Sequence, residues 1–150
     1  MMLRISLLSL ILAVSCPLYA DTGMEVKTGT IKMGDVHKKE DKNPFAVEIG
    51  KKVQGKVFIY HDKNSDKHVI NANAEFKNTT KDKVYLVYYV ALKDSKGQLV
   101  GSTFGDMQIP ADKNIHEFGS ALIPLPTPQI ANVANYEVVL YESDKPIGSE

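Results

Sequence analysis

Val84-Tyr85-Leu86-Val87-Tyr88-Tyr89-Val90-Ala91-Leu92-Lys93, then Asp94-Ser95-Lys96-Gly97, then Gln98-Leu99-Val100, is the stretch that decides the fold. β-Branched and aromatic residues fill the first run and favour extended backbone. Successive side chains of a strand point to opposite faces. One face therefore takes Val84, Leu86, Tyr88, Val90 and Leu92, and the other takes Tyr85, Val87, Tyr89 and Ala91. Both faces are apolar. Such a strand is central in its sheet, and is either covered on both sides or left with an exposed aromatic face. In Asp94-Ser95-Lys96-Gly97 an Asp opens a tight turn and a Gly takes the left-handed position, so residues 98–104 read as the return strand.

Upstream, residues 53–60 and 69–78 alternate with a period of two. Ile70, Ala72, Ala74 and Phe76 alternate with Asn71, Asn73, Glu75 and Lys77, which gives one dry and one wet face. Residues 78–83 read as a hairpin loop between that strand and the next. Downstream, residues 114–123 and 135–142 are further strands. Between them Pro124-Leu125-Pro126-Thr127-Pro128 reads as a stiff crossing loop, because proline fixes φ and donates no hydrogen bond. No segment holds a 3.6-residue period over the length of a helix. The links are too short for crossover helices, so the strands are antiparallel. The expected fold is all-β, an antiparallel immunoglobulin-like β-sandwich of about seven or eight strands.

Three segments divide the chain. Residues 1–20 form a signal peptide, residues 21–44 a polar segment with one short strand in 24–33, and residues 45–150 the sandwich domain. In the first, Arg4 is the positive flank, the run from Ile5 to Val14 is apolar, and Leu18-Tyr19-Ala20 ends on the small residue that precedes cleavage. The run is short for a membrane span, which needs about 20 apolar residues. The mature chain is therefore expected to have no transmembrane span, and to be periplasmic or secreted. Cleavage removes Arg4 and no acid, leaving 17 basic against 18 acidic side chains in 130 residues. That balance argues against nucleic acid as a partner, since phosphate binding needs a surplus of Lys and Arg. Cys16 is the only cysteine. Ala13-Val14-Ser15-Cys16 is similar to a bacterial lipobox, so the alternative is a lipoprotein anchored through Cys16. Without Cys16 the chain has no thiol chemistry and no disulfide.

Asn73-Ala74-Glu75-Phe76-Lys77-Asn78-Thr79, the stretch from Val90 to Val100, and Ile109-Pro110-Ala111-Asp112 followed by Phe118 resemble the strand–turn–strand signature of the FxLYD-like domain, a bacterial immunoglobulin-like module. The resemblance covers about residues 69–120. Lys93 stands where the family's Tyr would be, and Ala111-Asp112 where a Gly follows the Pro. The resemblance implies an extracytoplasmic β-sandwich of no fixed activity, with no catalytic residues to carry over.

The residues for catalysis are not in place. There is no G-x-S-x-G elbow, no phosphate-cradling glycine loop and no pair of carboxylates on one strand face. Asp62-x-Asn64-x-Asp66 imitates the start of a calcium loop, but Lys67 holds the glycine position and Asn73 the bidentate glutamate position. His61, His68 and His116 are the residues for a Cu or Zn site, a periplasmic metal-handling alternative that competes with solvated histidines. The leading expectation is a non-enzymatic exported protein without a cofactor. It binds an envelope or extracellular macromolecule through Tyr85, Val87 and Tyr89, rigid amphipathic anchors on one sheet face. A protein inhibitor of a hydrolase, acting through a protruding loop at residues 102–114, is the other alternative.

Overall fold

A computed structural model of the chain describes residues 23–32, 45–64, 67–124 and 127–147, with the backbone alone described at 61–64, 67–69, 114–124 and 127–128. The signal segment and Cys16 lie outside the described residues, as do most of residues 21–44 and the tail from 148.

Among the described residues, eight strands and one helical turn run in order: β1 Gly23–Thr30, β2 Phe45–Ile49, β3 Val53–Asn64, β4 Lys67–Asn78, β5 Val84–Lys93, β6 Leu99–Ile109, β7 Asn114–Pro124, α1 Thr127–Ile130 and β8 Asn135–Ser143. They form two four-stranded sheets, β1-β8-β5-β6 and β2-β3-β4-β7. Every pairing is antiparallel. This is the expected β-sandwich. Immunoglobulin-like domains share that architecture without always sharing one topology; here β2, β3 and β4 run as a meander in the second sheet.

β5 is central, with β6 on one side and β8 on the other. Its inward residues Val84, Leu86, Tyr88, Val90 and Leu92 have no solvent exposure. They meet Val53, Val57, Ile59, Ile70, Ala72 and Phe76 of the facing sheet in one core. Apolar burial of this kind stabilises by about 25 cal/mol per Å². Tyr88 reaches Phe76 at 6.5 Å between ring centres, and burial pushes its hydroxyl pKa up. Gly105 opposes Tyr88 on β6. A Cβ there would sit 2.5 Å from Tyr88 Cε1, so the ring occupies the space that a side chain would need.

The β5–β6 turn forms as its residues dictate. Asp94 Oδ1 accepts from the N–H groups of Lys96 at 2.8 Å and Gln98 at 2.9 Å, and Gly97 has φ of 80°. The turn also ties to the last strand, since Asn135 Nδ2 donates to Asp94 O at 2.9 Å.

Three expectations are corrected. Residues 78–83 do not make a hairpin: β4 and β5 lie in different sheets, so the loop crosses between them. Asn78 causes the change of direction. Its buried side chain donates to Asp82 O, Ile109 O and Pro110 O, and accepts from Thr80 N at 2.8 Å. That local closure replaces the ladder that a hairpin would need. The stretch after Pro124 is also not all loop, since Thr127–Ile130 makes one helical turn. Proline is tolerated in a first turn, where its missing N–H has no intrahelical partner to lose. Finally, the sandwich does not begin at residue 45. β1 pairs with β8 along its whole length, from Gly23↔Glu142 to Thr30↔Asn135.

Glu142 fixes the β2–β3 connection. It is 2% exposed, on the inward side of β8. Its carboxylate accepts from Lys51 N at 3.2 Å, Lys52 N at 3.0 Å and Val53 N at 2.8 Å. Gly50, with φ of 122°, opens this turn, and its N–H donates to Glu25 Oε2 at 2.8 Å. The two sheets are thus joined at this end by carboxylates gripping backbone donors, which satisfies turn groups that lie outside the ladder.

Candidate functional site

The outward face of the first sheet is set by its register. One row across the sheet reads Met24, Tyr141, Val87, Asp106, and the next reads Val26, Val139, Tyr89, Phe104. Toward one end the next row holds Ser143, Tyr85 and Gln108. Toward the other it holds Thr28, Glu137, Ala91 and Ser102. Two central rows are therefore almost wholly apolar and the flanking rows are polar. Phe104 is 71% exposed, Val26 46% and Met24 41%. Tyr85, Val87, Tyr89, Val139 and Tyr141 are half-buried. From strand spacing the apolar rows and their margins cover roughly 400–500 Å², the size of a functional patch on a small protein.

Charges frame this patch. Lys93 Nζ contacts Glu137 Oε2 at 2.7 Å beside buried Ala91. Lys83 Nζ lies 5.8 Å from the centre of the Tyr85 ring. Asp106 closes one side. The outward side of β3 and β4 differs, since Tyr60, Asn71 and Asn73 are buried there.

The sequence-derived trio Tyr85, Val87 and Tyr89 thus lies together on the sheet face that points away from the core. Sequence reasoning missed Met24, Val26, Phe104 and Val139, which come from three other strands. Alternation marks each as outward on its own strand, but only the register of β1, β8 and β6 brings them beside the trio.

His61, His68 and His116 lie outside the residues whose side chains are described; only their backbone is placed. His61 pairs with Ile70 and Lys63 pairs with His68, two positions along the same ladder. Ile115 pairs with Phe76 and Phe118 with Ala74. The backbone at His116 therefore lies roughly 20 Å along β4 from His68. The fold brings the first two histidines near one another but not the third. Asp62 and Asn64 sit in β3 rather than in a calcium-type loop. Residues 102–114 do not form a protruding loop, because β6 runs to Ile109 and β7 starts at Asn114. Among the described residues no group of three metal-ligating side chains occurs, and no helix is long and apolar enough to cross a membrane.

A cleft of about 570 Å³ opens where β1 meets the β2–β3 end and is lined by residues including Glu25, Lys27, Glu48, Lys56 and Lys77. Lys27 Nζ is 2.8 Å from Glu25 Oε1, and Lys56 Nζ is 3.2 Å from Glu48 Oε1. Burial pushes the Glu25 carboxyl up, but the hydrogen bonds from Lys27 and from Gly50 N–H outweigh it. The net pKa lies below the ordinary 4.5. A depressed carboxylate pKa stabilises the fold above the unfolded value and is lost as pH falls through the folded value. The stability advantage of the native chain over Glu25→Gln is therefore expected to be constant above pH 4.5 and to shrink below it. Melting curves between neutral and acid pH check this.

No family model matches the chain, and no curated protein matches it. Among solved structures it is similar to a DUF1425 family member from Shewanella sp. pv-4, with a TM-score of 0.36 at 14% identity, covering 81% of this chain and 99% of that one. It is also similar to a chain of the infectious bursal disease virus Gx strain, with a TM-score of 0.28 at 15% identity, covering 84% of this chain and 28% of that one. A third likeness is to tailspike protein 4 of bacteriophage CBA120, with a TM-score of 0.25 at 14% identity, covering 82% and 17%. At these scores none assigns a family or an activity to this chain.

Proposed function

We propose that this chain is an exported, non-enzymatic binding protein of the cell envelope, and that it holds a partner macromolecule on the outward face of the β1-β8-β5-β6 sheet. The observation that carries this reading is the row Val26, Val139, Tyr89, Phe104, an apolar band on the solvent side of an otherwise well-packed sandwich. Exposing such a band costs solubility without adding to the core, which a binding role explains. Tyrosines beside an exposed phenylalanine suit a desolvated anchor, and the polar rows around them suit a wet rim. The FxLYD-like resemblance implies an extracytoplasmic β-sandwich of no fixed activity, which is compatible with this reading.

Val26→Lys combined with Tyr89→Ser tests the face. The pair is expected to lower partner recovery from envelope extracts roughly tenfold or more. Its melting temperature is expected to stay within a few degrees of the native one, because neither side chain is in the core. Unchanged recovery at unchanged stability contradicts the reading. Export is tested by sequencing the N-terminus of the recovered protein. Asp21 is expected at the first position, while a lipidated Cys16 there establishes the anchored alternative.

A further inference from the structure

Strands differ in how much of the core they carry, and one that carries none of it opens at low cost. β1 is such a strand. It is an edge of the first sheet, and its ladder is with β8. None of residues 23–30 belongs to the core cluster. The outward Met24 and Val26 are exposed. The inward Glu25 and Lys27, opposite Leu140 and Val138 of β8, line the charged cleft instead of entering the packed interior. The strand is therefore undercut. Among the described residues its one hydrogen bond to the β2–β3 turn is that from Gly50 N–H to Glu25 Oε2. The Lys27 ammonium pairs within the strand, with Glu25. The two ends of β1 differ. Just past its C-terminal end Ile31 is buried in the core, and its N–H donates to Ala134 O at 2.9 Å. The Tyr136 ring lies against Gly29, where a Cβ would sit 2.8 Å from its Cε1. Residues 23–28 have no such anchor. β8 does not depend on them for its place, because it pairs with β5 from Asn135 to Ser143 and buries Val138 and Leu140 completely.

We propose that β1 is a hinged strap: residues 23–28 lift from β8 as a unit about Gly29–Ile31 while the rest of the sandwich stays folded, and the lifted state dismantles one margin of the partner-binding face. Lifting takes Met24 and Val26 off the apolar face and Glu25 and Lys27 off the cleft. It also bares the edge of β8. The face is complete only with the strap down, so a partner seated there holds it down by binding that state better. This regulation rests on the reading of the face as the partner site. The lifting itself rests on the packing of β1 alone.

Amide hydrogen exchange of the exported chain tests the lifting. β8 lies between β1 and β5, so its amides bond alternately to one and to the other. The amides that bond residues 23–28 to residues 137–142 are expected to exchange roughly a hundredfold or more faster than those that bond residues 137–142 to β5. Val26→Cys with Val139→Cys, in a Cys16→Ala chain, pins the strap. These positions are directly opposed, and opposed Cα atoms lie about 4.5–5.5 Å apart, within disulfide reach. Oxidation is expected to slow the fast set roughly tenfold or more and to leave the β5 set unchanged, and reduction to reverse this. Equal protection of the two sets overturns the proposal. So does a pinned strap whose exchange is unchanged. The oxidised pair is also expected to recover the partner from envelope extracts roughly threefold or more better than the same pair reduced. Equal recovery overturns the regulation. Recovery by neither form, with the expected exchange, counts against the face as the partner site and not against the strap.

Discussion

Replacing Glu142 with Ala is expected to cost about 3–5 kcal/mol of stability, or roughly 10 °C or more in melting temperature for a domain of this size. The reason is the number of groups that depend on it. Its buried carboxylate is the acceptor for Lys51, Lys52 and Val53 N–H, and alanine strips the acceptor from a fully buried donor at Val53 and from two partly buried bonds at Lys51 and Lys52. Each unsatisfied donor costs about 1–3 kcal/mol. Glu142→Gln separates charge from shape. It relieves the cost of burying a charge but exchanges one acceptor oxygen for an NH₂ group that faces other donors. Its expected loss is smaller, about 1–3 kcal/mol. Urea unfolding of both variants checks the order, Ala worse than Gln and Gln worse than native. An alanine variant within about 0.5 kcal/mol of native contradicts the role given to this side chain.

The second large effect is at the contact of Gly105 with Tyr88. Gly105→Ala places a methyl group 2.5 Å from Tyr88 Cε1 and 2.8 Å from its Cζ. Tyr88 is fully buried and has nowhere to retreat. Overpacking of this type costs about 1–3 kcal/mol. Tyr88→Ala alone empties the centre of the core and costs about 3–5 kcal/mol. The two are expected not to add. Once the ring is gone the methyl group has room, and alanine in a strand is better tolerated than glycine. The coupling is expected to be about 1–3 kcal/mol in a double-mutant cycle measured by denaturant unfolding. Additivity within about 0.3 kcal/mol contradicts the packing described.

These two sites show which parts of the structure the sequence reveals. The β5–β6 hairpin is legible because its causes are local: alternating apolar residues and an Asp-x-x-Gly turn whose hydrogen bonds close within five residues. The strands at β3, β4, β7 and β8 are legible for the same reason, each within a few residues of its ends. The sheet to which each strand belongs is not legible. That choice after β4 rests on Asn78 reaching Ile109 and Pro110, far along the chain. Glu142 is invisible in the same way. In the sequence it is one more polar residue at the end of a strand, and its partners lie about ninety positions away. The candidate site divides similarly. Tyr85, Val87 and Tyr89 share one strand, so alternation alone places them together. Met24, Val26, Val139 and Phe104 join them only through the pairings of β1, β8 and β6.

The central claim is that the outward face of the first sheet holds a partner. Photo-crosslinking in the native host tests it most directly, with benzophenone-alanine placed singly at Tyr89, Val139 and Val26 on the face and at Lys56 and Lys96 away from it. The expected result is one discrete heavier adduct, shared by the three face positions and absent from Lys56 and Lys96. A chain that gives no adduct from the face, or the same adduct from all five positions, contradicts the claim.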